Sequence, residues 1–250
     1  MRITQLLNAK QNGLAENPVP TIAFLGDSVT QGCFELLPRP NGGFDAVFDG
    51  ESVYHRILAA RLSVLYPDAP VNILNAGVSG DGTELGLRRL ERDVLRYHPD
   101  LTVVCFGLND CHGGDAGIAR YRTELGEIFR RLRENGSEII FMTPNMMNTK
   151  ISNRLSAPDL RAIAEKCMHL QQDGVLTRYL DAGRAVAAEC GVPVCDVYAR
   201  WQAMARGSVD TTALLANGIN HPTRQMHALF ADSLLEAFFS EGVTDEGCGR

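Results

Sequence analysis

The chain has 250 residues, 45% of them hydrophobic, and a formal net charge of −6. It can bury a substantial core, and it lacks the basic stripe that a nucleic-acid surface needs. No apolar run is long enough to span a membrane and Met1–Asn8 has no signal-peptide pattern, so a cytoplasmic protein without a membrane partner is expected.

Residues 1–19 read as a lead-in to the first strand, the apolar run Thr21–Leu25, which Gly26 ends. Ser28 follows within Gly26-Asp27-Ser28-Val29-Thr30-Gln31-Gly32, on the first turn after that strand. In open α/β sheets this is the edge where ligands bind, although a serine there also serves as a plain helix cap. Phe34–Gly50, with Pro38, Pro40, Gly42 and Gly43, reads as a loop. Tyr54, Ile57, Leu58, Leu62 and Leu65 have helical spacing, and Val71–Leu74 is the second strand.

The second strand leads into Asn75-Ala76-Gly77-Val78-Ser79-Gly80-Asp81-Gly82-Thr83. Leu87, Leu90, Val94 and Tyr97 mark the next helix, whose Arg88, Arg89 and Arg92 alternate with Glu91 and Asp93 as on a solvated face. Leu101–Phe106 is the third strand and runs into Gly107-Leu108-Asn109-Asp110. Asp110 and His112 read as part of a solvated loop there, and Asp27 and Asp81 as loop-fixing groups. A third helix covers Ile118–Leu132, and Glu138–Met142 is the fourth strand.

Asn145–Gly174 then forms an insertion with a helix over Ala157–Gln172, either a lid over a pocket or surface decoration. Its Met146 and Met147 suit an adaptable pocket wall. The fifth strand is Val192–Val197. Asn217-Gly218-Ile219-Asn220-His221-Pro222-Thr223 precedes the last helix, with Met226, Leu229, Phe230, Leu234 and Phe238 on one stripe. The polar tail Gly242–Arg250 is expected to fray. Strands alternating with helices imply a parallel sheet covered on both faces: one three-layer α/β/α domain over residues 1–250.

Four polar clusters thus follow successive elements on one sheet edge. Ester cleavage needs a nucleophile, a base in reach and donors aimed at the developing oxyanion. Ser28 suits the first role and His221 the second. The N–H groups of Ser28 and Gly80 and the amide of Asn109 suit the third, with a glycine at 80 leaving room for the acyl carbonyl. As base, His221 should titrate near pH 6–7. No histidines share a metal-ligand spacing with a carboxylate, so no metal is expected. Seven cysteines without a Cys-x-x-Cys pair suggest reduced thiols.

These blocks resemble those of the SGNH hydrolases, or GDSL lipase/acylhydrolase family, from Thr21 to about Phe239. The resemblance implies a flavodoxin-like sheet of five parallel strands and a serine esterase acting without a cofactor. By position it implies Ser28 as nucleophile, His221 as base, and Ser28, Gly80 and Asn109 as the oxyanion hole. No Gly-x-Ser-x-Gly elbow is present, against an α/β-hydrolase fold.

One position departs from the pattern. The aspartate usually found three residues before the histidine is Gly218 here. Treating Asn220 as an insertion aligns Asn217 with it, but asparagine for aspartate in such a triad costs roughly 10⁴ in turnover. Asn217, Asp210, Asp196 and a backbone carbonyl are all candidates to orient the ring. The expected substrate is a small carboxylic ester with a short acyl group, such as acetyl on a carbohydrate. A lysophospholipase or thioesterase, or a binding relative that lost turnover with the acid, are the alternatives.

Overall fold

The parallel sheet grows from short runs of buried aliphatic and aromatic residues, as expected where helices cover both faces. Its strands are Thr21–Gly26 (β1), Asn72–Gly77 (β4), Leu101–Cys105 (β5), Glu138–Met142 (β6) and Val194–Cys195 (β7). They lie in the order β4-β1-β5-β6-β7, every neighbouring pair parallel. Counted along the chain within the sheet, that order is 2-1-3-4-5, the flavodoxin-like arrangement. It reverses between β1 and β5, so the loops after these strands part around a crevice at the sheet's carboxyl edge. The computed structural model describes residues 1–240; the expected tail Gly242–Arg250 lies outside them.

The helices are Arg2–Asn12 (α1), Ser28–Gln31 (α2), Tyr54–Leu65 (α3), Thr83–Asp93 (α4), Ile118–Glu134 (α5), Pro158–Gln172 (α6), Val175–Glu189 (α7), Val197–Arg206 (α8) and Arg224–Phe239 (α9). α9 packs with α3, α1 and α8, while α4, α5, α7 and α6 pack in succession. Between them lies one core that includes Phe24, Val103, Ile140, Leu125 and Phe230, all buried. Among the described residues no helix is long and apolar enough to cross a membrane.

Four expectations need correction. Phe34–Gly50 is not a loop but an antiparallel hairpin of Cys33–Pro38 (β2) and Phe44–Phe48 (β3). Its Phe, Leu and Val residues favour strand; Pro38 ends β2, and Pro40, Gly42 and Gly43 occupy the tip. The lead-in holds α1, which buries Ile3 and Leu7 at helical spacing. The fifth strand shrinks to two residues, because Asp196 caps α8 by accepting from the Ala199 N–H. Met146 and Met147 belong to the core rather than to a pocket wall.

Candidate active site

Ser28 is placed by three local features. Gly26 ends β1 where a side chain would meet the Thr30 hydroxyl at 2.1 Å and the Cys105 carbonyl at 2.9 Å. Asp27 caps α2, its Oδ1 accepting from the Val29 N–H at 2.9 Å. Gly32, at φ +96°, closes this single turn through its N–H to the Ser28 carbonyl. As the first residue of a helical turn, Ser28 keeps an N–H with no intrahelical acceptor. The other oxygen of Asp27 is buried and unpartnered, and burial, then the nearby Asp110 charge, push the carboxyl up to about 7.

The structure brings His221 onto this serine. Nε2 lies 2.9 Å from Ser28 Oγ and Nδ1 lies 3.2 Å from the Phe34 carbonyl oxygen. A carbonyl only accepts, so Nδ1 carries the ring proton and Nε2 turns its lone pair to the serine hydroxyl. That is the tautomer a general base requires. Burial pulls the ring down to about 4, partly offset by the Phe34 carbonyl and the Glu35 charge.

Of the four candidates to orient the ring, the backbone carbonyl is the group in contact. Asn217 Oδ1 instead accepts from the N–H groups of Ile219, Asn220 and His221, each at 3.0 Å. It shapes the loop, because three converging amides saturate its oxygen. Asp210 pairs with Lys150 at 2.7 Å, and Asp196 pairs with Arg184 while capping α8. The Asn145–Gly174 segment braces the same loop. Asn148 N–H donates to the Ile219 carbonyl and Asn145 Nδ2 to the Asn220 carbonyl, both at 2.8 Å.

Gly80 and Asn109 stand on the neighbouring loops. A Cβ at Gly80 would meet nothing within 4 Å; its φ of +84°, in the turn closed by Asp81 N–H to the Val78 carbonyl, is what requires glycine. Asn109 Nδ2 donates one proton to the Asp81 carbonyl at 2.8 Å, which orients the amide and leaves its second N–H free to donate. With Glu84, Asp110, Arg120 and Tyr179, these two residues line a polar recess.

Two residues read as solvated are structural. Arg89 is buried: Nε meets Asp81 at 2.6 Å, Nη1 the Ala76 carbonyl at 2.6 Å and Nη2 the Gly26 carbonyl at 2.9 Å. It ties the ends of β1 and β4 to the Gly80 turn; the surrounding charges in sequence hid it. Asp110 Oδ1 accepts from the Thr83 N–H and hydroxyl at the start of α4. That hydroxyl also lies 2.7 Å from Glu124 Oε2, and burial raises the pKa of Asp110. Among the described residues no cluster of three or more His, Cys, Asp or Glu is placed to hold a metal.

The GDSL-like lipase/acylhydrolase family profile matches residues 24–229. An acetylxylan esterase of Geobacillus stearothermophilus is 32% identical over 89 residues, 36% of this chain and 39% of that protein. The matched stretch thus spans about two fifths of that relative. A solved acetylxylan esterase structure from the same organism superposes with a TM-score of 0.65 at 22% identity, over 89% of this chain and 95% of that one. A lipase/acylhydrolase from Enterococcus faecalis gives 0.62 at 23%, over 88% and 95%.

Proposed function

The chain belongs to the GDSL-like lipase/acylhydrolase family, and from that membership we propose that it is a serine esterase working through an acyl-enzyme. Nε2 of His221 takes the Ser28 hydroxyl proton as Oγ attacks the acyl carbonyl. The N–H groups of Ser28 and Gly80 and the Asn109 amide receive the oxyanion; one such donor is commonly worth about 3–4 kcal/mol. The imidazolium returns its proton to the leaving alcohol, and water then releases the acid with the ring again as base. The scheme uses no cofactor.

The 2.9 Å contact between Nε2 and Oγ, with Nδ1 held by a carbonyl, carries this reading. The Phe34 carbonyl supplies the orienting acceptor that the missing aspartate would, and this favours turnover over a binding-only relative. Acetyl on a carbohydrate is the proposed substrate class. The acetylxylan esterases among the relatives support it, as does the polar recess beside Gly80 and Asn109, which suits a hydroxylated leaving group better than a lipid chain. A cytoplasmic setting is part of the reading, supported by the six free cysteines among the described residues.

Hydrolysis of p-nitrophenyl acetate by purified wild type and Ser28→Ala tests the proposal. The variant should lose the activity, and acetyl esters should outpace butyryl and decanoyl ones. Equal rates for the two proteins would end the esterase reading; fastest turnover of the decanoyl ester would end the short-acyl assignment.

A further inference from the structure

Arg224, Glu35 and Asp49 form a charged cluster around Phe34 that the proposed chemistry leaves unused. Arg224 opens α9, three residues after His221. Its Nη1 and Nη2 donate to the two oxygens of Glu35 at 2.5 and 3.1 Å, and its Nε donates to Asp49 at 2.9 Å. The guanidinium carbon also sits 4.3 Å from the centre of the Phe34 ring. Such a planar two-pronged grip fixes orientation as well as distance.

What it grips is the peptide that meets His221. The carbonyl of Phe34 and the N–H of Glu35 belong to one peptide unit, with the Phe34 ring on one side and the Glu35 carboxylate on the other. The hairpin does not hold this unit by its ladder. Pairing runs from Cys33–Phe48 directly to Leu36–Ala46, skipping Phe34 and Glu35 at a register shift. At such a bulge the backbone is re-aimed away from the ladder, which frees this carbonyl for the imidazole but also leaves it unanchored.

We infer that Arg224, held between Glu35 and Asp49, is the positioning residue that keeps the Phe34 carbonyl on the Nδ1 proton of His221. The inference rests on the Ser28–His221 reading. Two carboxylates against one guanidinium leave the cluster a net single negative charge near the ring, where imidazolium charge develops as Ser28 gives up its proton. Orientation and compensating charge, which one aspartate usually provides together, are here divided between a peptide carbonyl and an ion cluster.

The test compares Ser28→Ala, Arg224→Ala, Arg224→Lys and Glu35→Gln in the full chain. It measures kcat and KM on an acetyl ester and the low-field proton resonance of the His221 ring. Arg224→Ala should lower kcat by about 100-fold, the scale of a 1 Å misplacement, with KM unchanged. Its ring-proton signal should move upfield and exchange faster. Arg224→Lys keeps the charge but not the fork and should recover part of the loss. Should Arg224→Ala not fold, Glu35→Gln carries the same readouts, with a smaller fall in kcat. Wild-type kcat and an unmoved ring proton in the folded variants would overturn the inference, as would a loss of kcat with the ring proton unmoved. Undiminished activity in Ser28→Ala would instead overturn the esterase reading itself.

Discussion

At the scale of single residues, the protonation of His221 sets the pH range in which the proposed base works. Only the neutral ring accepts the serine proton. The ordinary value of 6.5 falls to about 4 here because burial penalises the charged form more than the Phe34 carbonyl and Glu35 favour it. The sequence-based expectation of a limb at pH 6–7 therefore gives way to a lower one. kcat/KM should stay level from pH 7 down to about 5 and fall only towards 4. A stopped-flow or initial-rate pH series checks this; a limb centred at 6.5 would mean a solvated ring. The motifs that carry Ser28, Gly80 and Asn109 could be read in sequence because each follows a strand, and that of His221 because it leads into the last helix. The Phe34 carbonyl could not, since every residue carries a carbonyl and only the fold selects one.

Among the elements, the edge of the sheet is held by a residue whose sequence context disguised it. Arg88, Glu91 and Arg92 are ordinary surface charges around Arg89, and Asp93 takes a further contact from Arg89 Nη1 at 3.4 Å, yet only Arg89 faces the ends of β1 and β4 and the Asp81 carboxylate. Breaking a buried ion pair by removing one partner costs about 3–5 kcal/mol. Arg89→Leu should therefore lower Tm by about 10 °C, given 2–4 °C per kcal/mol at this size, and should weaken turnover by loosening the Gly80 turn. Calorimetry of the variant checks it; an unchanged Tm would show that Asp81 finds another partner. The β2/β3 hairpin was missed for a related reason. Pro38 at the end of β2 and Pro40, Gly42 and Gly43 at the tip dominate the local signal, while the strands themselves are only partly buried.

Over the whole molecule, three buried histidines make the fold sensitive to acid. Burial lowers His55 to about 4, His221 to about 4 and His227 to about 3, each from 6.5. Between pH 6.5 and 4 the unfolded chain binds more protons than the folded one at these sites, so stability falls as pH falls through that window. The raised carboxyls of Asp27 and Asp110 oppose this: Asp27, pushed up to about 7, contributes fully below its ordinary value of 3.8 and loses that contribution as pH rises through 7. The three histidines outnumber the two raised carboxyls, and the urea midpoint should drop from pH 6.5 to 4; a flat midpoint would refute the buried-neutral assignment. The five strands of the parallel sheet in chain order, and the four polar clusters that follow successive elements, were readable from the sequence alone, because hydrophobic period and turn chemistry are local. Which carbonyl meets the ring, which arginine is buried and which asparagine shapes a loop were decided only in three dimensions. Those roles depend on what residues distant along the chain leave unsatisfied, and that is settled when the layers pack.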